Sequence, residues 1–320
     1  MSLAAAAAQS SRRIFDRLVP RRRLPRGGFD VLPGLRLPAP IGPLRDTPDI
    51  GSLGRIGSLE VRLARTVGEV KRAQELRYRV FYEEMSAIAD ARTLMTRRDA
   101  DTFDAICDHV LVLDHDHLES RPFGKTRPRI VGTYRLLRRS VAERSGGFYS
   151  ASEFAVDELL EAKPDLEFLE LGRSCVLPAW RGKRTIELLW QGVWAYVQRH
   201  GVDAMIGCAS LEGTDPRRLA LPLSFLHYEC SAPAEWNVRA LPHRRTAMDR
   251  LSREAVDMRA ALQALPPLIK GYLRVGAKIG DGAVVDHQFG TTDVFVVMPV
   301  ADIARRYVDF FGADAGRRAS

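Results

Sequence analysis

Glu170 and Arg173 stand three residues apart inside FLELGRSCV (168–176), a run otherwise made of apolar and β-compatible residues. Charge inside a strand is costly unless it is paired or used. A carboxylate and a guanidinium there are the groups that proton transfer and carboxylate recognition need. Pro178 ends the run, because proline cannot donate to a sheet ladder. A basic turn follows, Arg181-Gly182-Lys183-Arg184. Thr185 is the expected N-cap of a helix in which Ile186, Leu189, Trp190, Val193 and Val197 recur at helical spacing, closed by Gly201. Strand, cationic turn and helix start make a unit able to bind phosphate.

Other residues of the same chemical types are spread along the chain. A helix over 69–85 places Val70, Ala73, Arg77, Val80, Phe81 and Glu84 on or beside one face. Arg77 on that stripe is either a snorkelling surface side chain or a functional one. Asp101 and Asp104 close an acidic stretch, and a strand over 130–137 carries Arg135. His227 in SFLHYE fits an acid–base group or a hydrogen-bonded core histidine. His115 and His117 in DHDH suggest a metal pair, but no third ligand is indicated and the flanks read as surface loop. The four cysteines form no CxxC pair and read as reduced thiols, Cys175 among them as a small core residue. There is no P-loop and no G-x-S-x-G elbow.

The elements that position these groups follow in order. Strands are expected over 59–65, 110–114, 130–137, 168–176, 203–210, 282–286 and 294–299. Between them fall helices over 69–85, 156–162 and 185–200, and one capped by Thr214 or Asp215 with Pro216 near its first position. An amphipathic helix within 229–263, a helix over LPPLIKGYLRVGA and a last one holding Ile303, Tyr307 and Phe310 follow. Residues 1–57 form a Pro/Arg-rich tail, 58–312 the folded domain with a helical insertion at about 211–278, and 313–320 a second tail. Within 1–45, nine arginines stand against Asp16 and Asp30, an excess of seven out of the chain's net +8. The body is therefore near neutral, which argues against a dedicated nucleic-acid binder. The tail reads as a solubilising segment or a membrane-surface contact, with an organelle transit peptide behind them. No apolar run approaches the ~18 residues of a bilayer span, so the expected location is cytoplasmic, with peripheral contact at the inner face of the cytoplasmic membrane.

The order of elements resembles the GNAT acyltransferase fold, an α/β (α+β) architecture with a mixed central sheet flanked by helices. Four pieces carry a sharper likeness: Arg77 with Phe81, Asp101 with Asp104, Arg135-Leu136-Leu137, and Glu170 with Arg173. Their order, R-x-x-x-F, D-x-x-D, R-L-L, E-x-x-R, looks like the acyl-homoserine-lactone synthases. The longest match is to the bacterial L-ornithine N-acyltransferases. It rests on LELGRSCVLPAWRGKRTIELLWQGVWAYV, MIGCAS, GTDP, LSFLH, LPPLIKGYLRVGA and DGAVVDHQFGTTDVFVVMPV, and covers roughly residues 59–312.

That resemblance implies transfer of a 3-hydroxyacyl group from acyl carrier protein to the α-amine of L-ornithine, giving lyso-ornithine lipid. No bound cofactor or metal is implied; the donor arm is the carrier's 4′-phosphopantetheine. Forming the amide needs an uncharged amine, so a base must take its proton. Glu170 is the expected base, directly or through water, and an ion pair with Arg173 or Arg135 is its structural alternative. Arg77, Arg135 or Arg173 would hold the amino acid carboxylate. Asp101 and Asp104 would face the second ammonium or shape the acceptor pocket, with Phe81 and His227 beside them. Backbone amides near Cys175 and Val176 would stabilise the oxyanion. Arg181, Gly182, Lys183 and Arg184 would receive the arm of the acidic carrier, although the family's second turn glycine is missing. The rivals are a GNAT-type N-acyltransferase using acyl-CoA or another amine, and a non-enzymatic acyl-chain or carrier-binding module.

Overall fold

The computed structural model describes residues 51–120 and 124–303. The arginine-rich segment 1–50, the helix expected around Tyr307 and Phe310, and the tail 313–320 lie outside the described residues. Among those described, nine strands form one sheet: β1 Gly54–Ile56, β2 Leu59–Leu63, β3 Asp108–Ser120, β4 Thr126–Arg138, β5 Phe168–Val176, β6 Ala204–Glu212, β7 Arg245–Thr246, β8 Lys278–Asp286 and β9 Thr291–Pro299. Their order across the sheet is β1-β2-β3-β4-β5-β6-β9-β8-β7. Every neighbouring pair is antiparallel except β5 and β6, which are parallel. The helices are α1 Val67–Tyr78, α2 Ala91–Thr96, α3 Arg139–Ala142, α4 Val156–Ala162, α5 Lys183–His200, α6 Ala220–Glu229, α7 Met258–Ala264 and α8 Pro267–Val275.

Two-residue alternation sends side chains to opposite faces of this sheet. Val110, Val112, Leu169, Leu171, Val294 and Val296 bury one face with Leu188, Leu189 and Val193 of α5 and with Ile269 and Tyr272 of α8. The opposite face packs Leu111, Leu113 and Ile130 against Ala73, Leu76 and Val80. Further along it, Leu137, Phe168, Ile206 and Phe295 meet Phe148, Phe154 and Leu159. Arg135, Glu170, Cys208 and Asp293 alternate onto this second face.

Several boundaries differ from the sequence reading, each for a physical reason. The sheet starts at β1, one strand before the expected start at Leu59. β3 and β4 continue through the expected loop, so His115 and His117 lie in a strand. Their surroundings are exposed, and cross-strand hydrogen bonds do not require the apolar alternation that signals a strand. α1 stops at Tyr78 and gives way to a wider π turn, Arg79–Glu84. Helix α5 begins at Lys183 with Gly182 as N-cap and no side-chain cap; Thr185 is buried inside the first turn and not at the cap. α6 begins at Ala220, because Asp215 caps a separate turn by accepting from Arg217 N at 3.0 Å. Strand β5, the helix 156–162 and the Gly201 cap fall where the pattern puts them.

The feature that shapes the site is the short β5–β6 ladder. It pairs Phe168 with Ala204, Leu169 with Met205 and Glu170 with Ile206, and then stops while both strands run on. At the parting point a Cβ on Gly207 would lie 2.4 Å from the Leu171 carbonyl oxygen. Only glycine tolerates that approach. Gly207→Ala is expected to push the strands apart, destabilising the fold by about 1–3 kcal/mol; a urea melt beside wild type measures it.

Candidate active site

Three arginines and three aspartates that are scattered in the sequence come together beneath the second sheet face. Arg77, fully buried in α1, donates from Nε to Asp99 Oδ2 at 2.8 Å and from Nη2 to Asp104 Oδ2 at 2.8 Å. Arg135 on β4 reaches Asp101 at 2.6 Å and Asp104 at 3.4 Å. Arg173 pairs with Asp99 at 3.3 Å and Asp101 at 3.5 Å. Gln74 Nε2 also donates to Asp104 Oδ2, at 2.9 Å. Three cations thus balance three anions. Burial disfavours the Asp104 charge, but Arg77 and then Arg135 outweigh it and hold the carboxyl well below its usual range. For Arg77, burial opposes the charge and Asp104 and Asp99 more than offset it.

The local sequence explains how the partners are held. Asp101 caps a short 3-10 turn over Thr102–Ala105, and Asp104 returns the bond to the Asp101 N–H, a reciprocal capping box. The same two carboxylates that cap the turn also carry the ion pairs. Arg173 sits at φ +51 in a bulge, where β4 passes directly from Thr133 opposite Cys175 to Arg135 opposite Gly172. The bulge turns Arg173 under Tyr149 (4.7 Å) and Phe289 (4.8 Å), cation on ring. Phe81 meets Phe289 edge-on at 5.8 Å.

Glu170 is buried, yet its carboxylate pairs with no arginine. Tyr149 N donates at 2.9 Å, Ser150 N at 2.8 Å and the Ser150 hydroxyl at 2.6 Å. Three of about four acceptor positions are filled. Burial raises its proton affinity, and the Ser150 hydrogen bonds pull it back in part. Neither Arg173 nor Arg135, the ion-pair partners expected from sequence, holds this carboxylate; the turn 149–150 does.

A second group of acids carries no sequence signal. Glu153, Asp286 and Asp293 each bring a carboxylate oxygen within 4.8 Å of the others. Glu153 also meets Arg244 at 3.1 Å and the Cys208 thiol at 3.7 Å, and Asp293 accepts from Thr291 Oγ1 at 2.9 Å. Burial, then Asp293, pushes the Glu153 carboxyl up to about 7. Asp286 and Asp293 stand on the two arms of the β8–β9 hairpin, and only the fold brings Glu153, more than 130 residues earlier, beside them. His115 and His117 do not converge on a metal: their rings meet Glu60 and Asp114, each at 2.7 Å. His227 lies in the last turn of α6 with its ring against Tyr228, and among the described residues no hydrogen bond or ion pair joins its ring to the charged network. The Cys175 thiol is buried, and burial pushes it up to about 12, which removes the nucleophilic thiolate.

The far end of β5 runs into the basic turn read from the sequence. Leu177 N donates to Val131 O at 2.9 Å, so alternation points the Val176 N–H at the edge that β6 has left. A pocket of ≈ 10 Å³ lies where the strands part, lined by Leu171, Gly207, Cys208 and Tyr272 among others. Beyond it, the uncapped start of α5 presents Gly182, Lys183 and Arg184 to solvent. Arg181 is tied to Glu84 by two bonds of 2.5 and 2.7 Å.

A strand pair that parts beside a bulged strand, followed by an open helix start, is the arrangement of a GNAT-type N-acyltransferase, and the family profile described as "Acetyltransferase (GNAT) domain" matches residues 76–191. The chain is 55% identical over 265 residues to the L-ornithine N(alpha)-acyltransferase of Brucella abortus, covering 83% of this chain and 92% of that one. It is 56% identical to that of Rhizobium meliloti, over 84% and 89% of the two chains. To that of Rhodobacter capsulatus it is 39% identical, over 79% and 95%. The chain belongs to the L-ornithine N(alpha)-acyltransferase family. The solved structure of FeeM, an N-acyl amino acid synthase from uncultured soil microbes, aligns at a TM-score of 0.40 and 10% identity over 76% of this chain and 92% of its own, a likeness too distant to carry weight.

Two outcomes follow from the electrostatics. Asp104→Asn leaves Arg77 buried and half-paired, and is expected to cost about 3–5 kcal/mol of stability in a denaturant melt. Glu153 keeps its proton in the folded state between pH 4.5 and about 7, while the unfolded chain has lost it. Stability therefore falls as pH rises through that window, and the loss is complete above it. Glu153→Gln removes this titration. Urea melts across the window should show the variant gaining on wild type by on the order of 3 kcal/mol.

Proposed function

We propose that this enzyme transfers an acyl chain from a phosphopantetheine thioester, presented by acyl carrier protein, to the α-amine of L-ornithine. The observation that carries the reading is the parting of β5 and β6 directly beside Glu170 and Arg173. The thioester arm would lie along the freed edge of β5, its oxyanion accepting from the Val176 N–H and its phosphate at the α5 start. Charge around Lys183 and Arg184 suits an acidic carrier. The Arg181–Glu84 pair makes Arg181 the less available cation.

Among the three arginines, exposure favours Arg173 as the holder of the amino acid carboxylate. Its side chain is 15% exposed, against 0% for Arg77 and 4% for Arg135. Its ion pairs to Asp99 and Asp101, at 3.3 and 3.5 Å, include no short contact of the kind that holds Arg77 at 2.8 Å and Arg135 at 2.6 Å. Asp101 and Asp104 are occupied by arginines, so the second ammonium of ornithine would find better partners in Asp286 and Asp293, with Glu153, itself beside Arg244, completing the cluster. Glu170 would take the α-ammonium proton, directly or through the Ser150 hydroxyl. The neutral nitrogen then attacks the thioester carbon, the C–S bond breaks, and the leaving thiolate takes the second proton that the nitrogen gives up as the amide forms.

The test offers purified enzyme acyl carrier protein or acyl-CoA thioesters, with ornithine, lysine or glycine as acceptor. Acyl-ornithine from the carrier thioester is expected; no acylation of ornithine from any acyl carrier protein would overturn the reading. Glu170→Gln should lower kcat by about 10²–10⁴-fold with folding intact. Glu153→Gln should instead raise KM for ornithine, and by more than it raises KM for an acceptor without a second charge. A kcat loss at Glu153 matching that at Glu170 would move the base to Glu153.

A further inference from the structure

The segment after the π turn is built inside out. Ala87 and Thr93 are buried, while Met85, Ile88, Leu94 and Met95 are 47%, 67%, 57% and 86% exposed. Four of the nine exposed large hydrophobic side chains among the described residues fall in these eleven positions. A water-facing segment would bury the leucine and methionines and expose the threonine. The inversion is held in place by the fold. Asp90 caps α2 by accepting from Thr93 N at 2.6 Å, and Ile88 N donates to Gln288 O at 2.7 Å. Ala87 N donates to Phe81 O at 2.9 Å, and the Arg97 guanidinium covers the Tyr78 ring at 5.6 Å.

Charge accompanies the apolar face. Residues 85–98 carry Arg92, Arg97 and Arg98 against Asp90. Arg97 is paired with Glu83, whereas Arg92 and Arg98 make no ion pair among the described residues. Long apolar side chains standing out of the surface, with cations beside them whose stems can snorkel, match a bilayer interface with anionic headgroups. A carrier protein would be met by charge more than by four protruding hydrophobes. The position fits as well: Gln288 and Phe289, which contact this segment and Arg173, join it to the rim of the acceptor site.

We propose that residues 85–98 form a membrane-docking face that inserts Met85, Ile88, Leu94 and Met95 into an anionic lipid surface. This rests on the reading above to the extent that an acyl-amino acid product is an amphiphile with a reason to leave into a bilayer. The contact itself needs no substrate.

The test is flotation of the full-length chain with vesicles of phosphatidylcholine containing about 30% phosphatidylglycerol, on the order of one charge per three lipids as in an anionic leaflet. Binding is expected, and weaker with phosphatidylcholine alone. Ile88→Glu/Met95→Glu should reduce binding at least about tenfold, consistent with losing two inserted side chains and adding repulsion. Turnover on soluble acyl carrier thioester and ornithine should stay within about twofold, because neither residue touches the reacting groups. Met95→Trp should bind at least as well and show a blue-shifted emission with vesicles. Undiminished binding by the double Glu variant overturns the proposal, and so does failure of the wild-type chain to float. Loss only on replacing Arg21, Arg22 and Arg23 by Ser would assign the contact to the basic tail. A tenfold rise in KM for the carrier thioester with vesicle binding intact would assign the face to the carrier. Acyl transfer and flotation are read separately, so failure of the enzymatic reading leaves this result legible.

Discussion

A guanidinium with no exposed surface is the constraint on which the site depends. Arg77 sits on an α1 face that otherwise packs valine, alanine and leucine against the sheet. Isolated there, its charge would cost several kcal/mol. Asp99 and Asp104 make it tolerable, and the requirement propagates outward. Asp104 needs the capping turn to face inward, and Arg135 needs Asp101 at that turn's start. Arg173 can complete the set only by leaving the regular strand at φ +51. Charge neutrality among six side chains from four chain segments thus fixes the bulge in β5. The bulge in turn decides which backbone amide faces the open edge of the sheet.

Glu170 gains its character by being left out of that balance. A seventh charged group, without a cation of its own, is held by two backbone N–H groups and a hydroxyl. Those dipoles lower the cost of burial without cancelling it, so the carboxyl keeps an elevated proton affinity suited to proton transfer. The same bonds pin Tyr149 over Arg173, which links Glu170 to the most exposed of the three arginines. Further along the face, Glu153, Asp286 and Asp293 crowd three carboxyl groups where β6, β8, β9 and the 149–155 segment meet. The proposed acceptor reading rests on this order of cation, acid and acid cluster.

Much of this is legible in the amino-acid pattern. Arg77 stands out because a helix stripe of apolar residues rarely includes an arginine. Glu170 and Arg173 stand out because a strand run rarely includes either. Those are local contradictions, and local contradiction survives without a structure. Asp99, Ser150 and Glu153 raise no such signal. Asp99 looks like one acid in an acidic loop, and Ser150 and Glu153 sit in a connector without periodicity. The strand at His115 and His117 is hidden because ladder bonds use the backbone, whereas sequence periodicity reports side-chain alternation. Thr185 has the residue type of a cap, but burial inside the first turn of α5 leaves that position to Gly182.

The sequence by itself determined the family and the mixed sheet with its flanking helices, and it singled out Arg77, Arg135, Arg173, Glu170 and the basic turn on which the proposed chemistry rests. The family rests on the likeness of long sequence strings, while the elements and the unusual charges follow from residue type and short-range period, all of which the chain carries with it. Only the tertiary structure decided which acid answers which arginine, that Glu170 is held by a turn and not by a cation, and that Glu153 meets the two acids of the β8–β9 hairpin. Those outcomes depend on strand order and on where a parallel pair stops, as β5 and β6 do after three residues. The electrostatic energies that select among pairings fall off over a few ångströms. Separations of that size between residues up to about 140 positions apart exist only once the sheet is assembled.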